Sequence, residues 1–466
     1  MTLTLLALTL LTSQRALRLE AEEATLEGPR VTTTRPGFSG KGYVTDVTQP
    51  KARIVWRGVR AAPGIYEARL GYSASSDKGF ELGVNGSRSS AMLAATGEKF
   101  GMRRAGKIEI RAGENEISIE RGWGYYDVDY LELVPAAARA KIKPIAAKLV
   151  DPKATPEARR LYADLLRRYG TSTFSGQYEL DESAWVAQQT GRTPAILGGD
   201  LMDYSPSRLP FFDKPPKDLV PSWIDAARKG QILTLSWHWN APKDLINKRE
   251  HRNAEGQVVE AMWYSGFYTR ATTFDAKKAM ADPNSEEYRL ILRDIDAIAV
   301  QLKRLRDAKV PVLWRPLHEA DGGWFWWGAK GPETGKALWR LVFDRLTKHH
   351  RIHNLVWVWN SPKPEWYPGD DTVDIMSVDE YPADRRDALS TAWEDQLARF
   401  NGRKPLALAE FPGVPDLERM RRFGVRWLYF VSWTGGVGPK STPKEVLKGT
   451  YASKTVISLP AKPRAK

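Results

Sequence analysis

Between Leu19 and Leu133 apolar and polar residues alternate with period two: Tyr66, Ala68, Leu70 and Tyr72 interleave with Glu67, Arg69 and Gly71. Side chains on a strand point alternately to opposite faces, so this pattern predicts strands with one face in a core. Gly-rich and Asn-Gly points such as Asn85-Gly86 break it at turn-like spacing. Short strands joined this way predict a β-sandwich of the jelly-roll kind over residues 17–135. Residues 136–156, rich in Ala, Lys and Pro and without an apolar period, read as a linker or partly helical spacer.

Beyond Thr155 the pattern becomes apolar runs separated by longer segments of helical period. Eight strand candidates lie at Gly170–Gln177, Thr193–Gly198, Gln231–Trp237, Val310–Pro316, Asn354–Trp359, Asp374–Val378, Pro405–Ala409 and Val425–Ser432. Between two of them, Leu292, Ile295, Ile298, Ala299, Leu302 and Leu305 recur at helical spacing with charges between, which predicts an outer helix over Tyr288–Ala308. Such alternation predicts βα units around a parallel sheet. No glycine-rich phosphate loop follows the first strand, so a (β/α)8 TIM barrel over 157–466 is expected rather than an open doubly wound sheet.

Composition narrows the functional classes. The 466-residue chain is 42% hydrophobic and 27% charged, as for a globular chain with sizeable cores. It has no cysteine, which removes disulfides, thiolate zinc sites and a cysteine nucleophile. The opening apolar run Thr2–Thr12 is far short of the ~20 residues that span a bilayer. With Ala16 as a small residue near a cleavage point, residues 1–16 read as a secretory signal, so the protein is expected outside the cytoplasm, without a membrane anchor. The net charge of +14 is spread among acidic residues with no basic stripe, so no nucleic-acid partner is expected.

Reactive groups of such barrels sit at the C-terminal ends of strands. Two apolar runs end there in glutamate: Val310 to His318-Glu319, and Pro405 to Ala409-Glu410. Two carboxylates are what glycosidic cleavage requires, one to protonate the leaving oxygen and one to attack the anomeric carbon or activate water. The tryptophans Trp324, Trp326 and Trp327 follow Gly322-Gly323 and read as a loop lining a cleft for sugar rings. His349, His350 and His353 have metal-compatible helical spacing, but they precede strand five at the end opposite the active face and read as a basic helix C-terminus.

Trp314-Arg-Pro-Leu-His-Glu319 followed by Gly322-Gly-Trp-Phe-Trp-Trp-Gly328, together with Lys404-Pro-Leu-Ala-Leu-Ala-Glu410, resembles glycoside hydrolase family 26 over most of residues 170–435. Its best-known members are retaining β-mannanases. The resemblance implies Glu319 as general acid/base and Glu410 as nucleophile. It also implies sugar contacts at His238 and Trp239, in Ser236-Trp-His-Trp-Asn240, and at His318, Trp324 and Trp327. Tyr381 would hydrogen-bond the nucleophile, and Trp433 would lie under the sugar at the cut bond. Two positions depart from the usual family pattern: Asp321 stands in place of an asparagine, and Phe411-Pro412 follows the nucleophile.

Leu19 to Gly28, Gly37 to Val44 and Gly124 to Leu133 resemble carbohydrate-binding module family 35, a calcium-bearing β-sandwich, over residues 18–134. By that resemblance Glu20 and Glu22, on one side of a strand, and Asp129 supply hard oxygen ligands for structural calcium. Trp123, Tyr125 and Tyr126 are candidates to stack on sugars. The expected protein is a secreted, monomeric endo-β-1,4-mannanase that needs no cofactor for catalysis. Its alternatives are a β-1,3-xylanase or mixed-linkage glucanase on the same machinery, or a non-catalytic carbohydrate-binding protein.

Overall fold

The computed structural model describes residues 16–137, 140–253 and 256–461; the expected signal, residues 1–16, falls outside them except for its last residue. The chain divides into two compact units, one of residues up to Lys141 together with Pro382–Thr391 and Glu418–Val425, the other of the remaining residues from Ile142 on.

The N-terminal unit holds two antiparallel sheets. One orders Arg30–Thr32, Tyr43–Thr45, Asp127–Pro135, Gly64–Ser73 and Gly101–Ile110, with Leu17–Glu20 also paired to Asp127–Pro135. The other orders Thr25–Glu27, Arg53–Val59, Asn115–Trp123, Lys78–Val84 and Ser87–Leu93. The period-two residues Tyr66, Ala68, Leu70 and Tyr72 are all buried between them, in a core shared with Trp56, Phe80, Ile117 and Leu131. Asn85 and Gly86 both adopt positive φ, +49° and +80°, and close the hairpin between Lys78–Val84 and Ser87–Leu93. That turn matches the right-handed strand twist, and Asn-Gly tolerates it best.

The second unit contains a closed parallel barrel of β1 (Gly176–Tyr178), β2 (Ile196–Asp200), β3 (Ile232–Ser236), β4 (Val312–Arg315), β5 (Leu355–Trp359), β6 (Ile375–Asp379), β7 (Leu406–Phe411) and β8 (Phe430–Ser432). It closes where Gln177 on β1 meets Ser432 on β8. All eight expected strands are present, but the first two expected runs are each divided. Thr173–Phe174 and Arg192–Pro194 leave the barrel and flank Val456–Pro460 in a separate three-stranded sheet. The outer helix runs Glu286–Asp307; Ser285 accepts the Tyr288 amide at its start, and Ile291, Ile295, Ile298, Leu302 and Leu305 are buried.

The expected spacer is not free along its whole length. Leu149 and Ala154 are buried in the barrel's own hydrophobic cluster, and the Val150 amide donates to Asp374 Oδ1 at 2.8 Å. Two separate apolar side chains and one backbone amide anchor this stretch, too few to make an apolar period.

Candidate active site

The site is built from side chains at the C-terminal ends of the barrel strands. Arg315 closes β4 and is fully buried. Its guanidinium donates to Asp379 Oδ2 at 2.7 Å, to the Tyr178 hydroxyl at 2.9 Å, and to Glu410 Oε1. Tyr381, just past β6, donates its hydroxyl to the other oxygen of Glu410, Oε2, at 2.7 Å. The pairing register shifts where Asp379 lies opposite Glu410 and again before Phe411 meets Ser432. Bulges of this kind re-aim side chains, here at the strand ends that carry the acids.

Glu319 lies one turn beyond β4 in the left-handed region, φ +52°, as does Leu317 at +51°. Its amide donates to the Asn360 carbonyl at 2.8 Å, and Trp324 Nε1 donates to its Oε2 at 2.9 Å. Gly322 permits the second contact, since a Cβ there would fall 2.2 Å from the Trp324 ring. One carboxylate oxygen from each of Glu319, Asp379 and Glu410 lies within 4.8 Å of the other two.

Burial and the charge of Asp379 push the pKa of both glutamates up. On Glu410 the Arg315 charge, the Tyr381 hydrogen bond and the His238 charge oppose the rise; on Glu319 the Arg315 charge and the Trp324 hydrogen bond oppose it, but the charge of Glu410 raises it further. Glu410 therefore ionises first and Glu319 keeps its proton. A proton-holding acid facing an ionised carboxylate is the arrangement that two-carboxylate chemistry requires.

His238, beyond β3, is held by Asp200 at the end of β2: Nδ1 to Oδ2 is 2.5 Å, and the His238 amide reaches Oδ1 at 3.0 Å. Burial opposes the charge of Asp200, but the charge and hydrogen bonds of His238 prevail and hold it well below the usual carboxylate range. His318 Nε2 lies 3.2 Å from His238 Nε2. Burial, then the charges of Arg315 and His238, hold His318 neutral. Trp433 packs edge-on against Tyr178, with centroids 4.8 Å apart, and stays half-buried beside His238.

Several expected sugar contacts are placed otherwise. Trp239 and Trp327 are fully buried and offer no face to a ligand. Trp239 stacks on Trp237 and donates to Asp294, while Trp327 donates to the His318 carbonyl and stacks on Phe325. Trp326, also buried, donates to the Trp239 carbonyl. His318 is 1% exposed and stands behind His238. Of the tryptophan cluster, Trp324 alone is exposed, at 47%. The aromatic run is therefore mostly the packing beneath the site: polar backbone around Glu319 needs a dry, filled support, and the indoles supply it with each N–H committed to a backbone carbonyl or a carboxylate.

The same search for apolar runs ending in an ionisable residue selects Asp200 after Ile196-Leu-Gly-Gly and Asp379 after Ile375-Met-Ser-Val. Both are aspartates, and a reading restricted to glutamate misses them. Arg315 was legible too, because an arginine inside an apolar strand must be paired. The hydroxyl of Tyr178 and the amide of Asn360 carried no such signal.

In the N-terminal unit the expected metal ligands converge on one loop. Ser39 donates its amide to Asp129 Oδ1 at 2.8 Å and its hydroxyl to Glu20 Oε2 at 2.9 Å; the Lys41 amide donates to Glu22 Oε1 at 2.6 Å. Glu20 and Glu22 do not share one face of a strand as expected. The strand ends at Glu20, and Glu22 lies in a 3-10 turn, Ala21–Glu23, which brings it back to the same loop. Trp123 and Tyr125 are exposed, whereas Tyr126 is buried and donates to the Glu120 carbonyl. His350 is committed to Asp296, and His353 to Asp151.

Residues 150–458 match the profile of glycosyl hydrolase family 26, and residues 17–136 that of carbohydrate binding module family 35. A mannan endo-1,4-β-mannosidase of Thermothelomyces thermophilus is 42% identical, over 96% of this chain and 90% of its own. The crystal structure of a Podospora anserina GH26-CBM35 β-(1,4)-mannanase superposes with a TM-score of 0.67 at 41% identity, over 95% of this chain and 97% of its own. A β-mannanase from a symbiotic protist of the termite Reticulitermes speratus, solved with a gluco-manno-oligosaccharide, gives 0.59 at 31% identity, over 69% of this chain and 99% of its own. With two strand-end glutamates set in a closed parallel barrel that follows an antiparallel sandwich along the sequence, the chain belongs to glycosyl hydrolase family 26 and carries an N-terminal family 35 carbohydrate-binding module.

Proposed function

We propose that the protein is a retaining endo-β-1,4-mannanase in which Glu410 is the nucleophile and Glu319 the acid/base. The observation that carries this is the asymmetry of the pair: both oxygens of Glu410 are held by donors, from Arg315 and Tyr381, while Glu319 is held protonated. Their close approach suits retention, where the carboxyl groups stand about 5 to 5.5 Å apart, rather than inversion, which needs room for a water between them. Glu410 attacks the anomeric carbon as Glu319 gives its proton to the departing glycosidic oxygen. A water, deprotonated by Glu319, then displaces Glu410 and restores both groups. His238, oriented by Asp200, and the half-buried Trp433 would hold the sugar at the cut bond, with Trp324 at the rim. Mannan as substrate is supported by the names of the relatives.

Incubation with mannan, glucomannan, β-1,3-xylan and mixed-linkage glucan, beside Glu319→Gln and Glu410→Ala, tests this. Mannan should be cleaved fastest and both variants should lose activity. Preference for another polymer would replace the substrate, and an inverted first anomer by proton NMR would remove the nucleophile role from Glu410.

For the module, Glu20, Glu22 and Asp129 fit a hard cation. They bring three carboxylates to one loop, and Glu22 Oε2 is buried without a hydrogen-bond partner. Calcium there would be structural, neutralising charge and tying the loop to the first and last strands. Exposed Trp123 and Tyr125 would stack on polysaccharide. Trp123→Ala should then weaken retention on insoluble mannan and leave turnover of soluble oligosaccharides intact. Secretion rests on the apolar N-terminal run; among the described residues no helix is long and apolar enough to cross a membrane.

A further inference from the structure

Asn360 follows β5 and is 1% exposed. Its carbonyl and its side-chain Oδ1 both accept the Glu319 amide, at 2.8 and 3.1 Å. Its Nδ2 donates to Asp379 Oδ1 at 2.8 Å and to Ser377 Oγ at 3.0 Å. The Asp379 carboxylate can only accept, so the amide has one orientation, with nitrogen toward Asp379 and oxygen toward Glu319. The other oxygen of Asp379 is held by Arg315, which also holds Glu410. One buried amide thus links the backbone of Glu319 to the ion-paired group around Glu410.

Glu319 needs such a link because of its backbone. At φ +52° it occupies a region that L-residues rarely adopt, following Leu317 at +51°. A conformation of this kind persists only where the surroundings over-determine it. Its side chain has one hydrogen bond, from Trp324, an exposed residue on the cleft rim. The aim of the carboxyl is therefore set from below, through the amide that Asn360 grips twice.

We propose that Asn360 is a positioning residue for general acid/base catalysis, fixing Glu319 in its left-handed conformation and tying it to Asp379. The inference rests on Glu319 being the acid/base. Asn360 touches no reacting atom and acts through the backbone of Glu319. Removing it leaves Glu410 with both of its donors, so the nucleophile keeps its hold while proton delivery is misdirected.

This separation gives the test. Cleavage of mannan, with a poor leaving group, needs the proton; departure of 2,4-dinitrophenolate from a β-mannobioside does not. Asn360→Ala should lower kcat/KM on mannan about a hundredfold, the scale of a small misplacement of a reacting group. The loss on the dinitrophenyl substrate should be smaller by at least about tenfold, since general acid assistance is worth at least that. Losses equal within about threefold, or no loss on mannan, would overturn the proposal.

Thermal unfolding shows whether Asn360→Ala is folded. If it is not, Asn360→Asp supplies the reading, since it keeps an acceptor for Glu319 but sets a second carboxylate against Asp379. The added charge should move the alkaline limb of kcat/KM upward, and an unmoved limb counts against the proposal. Glu319→Ala is the control. If its loss is equal on both substrates, the acid/base assignment itself fails, and the role of Asn360 falls with it.

Discussion

Tyr381 donates to Glu410 Oε2 at 2.7 Å although nearly half of its surface is open to the cleft. A hydrogen bond to a charged group is worth about 1.5–3 kcal/mol. Tyr381→Phe should therefore lower kcat on mannan by roughly one to two orders of magnitude, because the hydroxyl stabilises Glu410 as the carboxylate leaving group of the second step. The acid limb should also move upward, since the lost bond favours the ionised form. Steady-state kinetics on soluble mannan-oligosaccharides across pH measure both effects, and an unshifted acid limb would separate Tyr381 from the ionisation of Glu410.

Two opposite titrations should shape the pH profile of kcat/KM. Glu410 must be ionised, so activity is lost as pH falls through its pKa. Glu319 must be protonated, so activity is lost as pH rises through its pKa, which burial and the charges of Asp379 and Glu410 push well above the usual carboxylate range. Trp324 donates to the charged form of Glu319 and lowers that value. Trp324→Phe keeps the ring, removes the donor and should move the alkaline limb to higher pH. A downward move would show that Trp324 acts through something other than this bond.

The barrel was legible because its strands are short apolar runs at regular intervals, and the acids because those runs stop at an ionisable residue. The tryptophans were the harder case. Aromatic density beside glycine fits both a sugar platform and a packed support, and only burial separates them: Trp324 is exposed whereas Trp326 and Trp327 are not. Asn360 and Tyr178 were invisible for a different reason. Each acts through polar atoms whose partners lie far along the chain, at a sequence distance that no local pattern spans. Glu22 escaped its expected strand because a short turn follows Glu20, yet the turn delivers it to the same loop.

Burial separates the tryptophans by function in a measurable way. Trp239 is fully enclosed, stacked on Trp237 and bonded to the buried Asp294. Trp239→Ala should cost about 3–5 kcal/mol of stability and leave Asp294 short of a partner. Trp433 is half-buried against Tyr178 on the cleft side, so Trp433→Ala should spare most of the stability and raise KM or lower kcat instead. Thermal melts and kinetics run on the two variants together decide the point. A large kinetic defect in a fully stable Trp239→Ala protein would return that residue to the substrate site.

Calcium in the module can be tested by stability alone. Burial raises the pKa of Asp129, with the charge of Glu22 adding to it, while the two hydrogen bonds from Ser39 oppose the rise. A group held this way gains most from a cation that neutralises its surroundings. A cation bound only by the folded module stabilises it by about 2.7 kcal/mol at a hundred times its dissociation constant. In calorimetry of the whole chain, calcium should raise the transition of the module and chelator should lower it, with the barrel transition unmoved. Because the ligands must be deprotonated, the calcium effect should fade as pH drops through the raised pKa of Asp129. Glu22→Gln should blunt the response by removing the charge on the oxygen that lacks a protein partner. A module transition indifferent to chelator at neutral pH, in the native chain, would remove calcium from this site and leave Ser39 and Lys41 as the sole partners of these carboxylates within the loop.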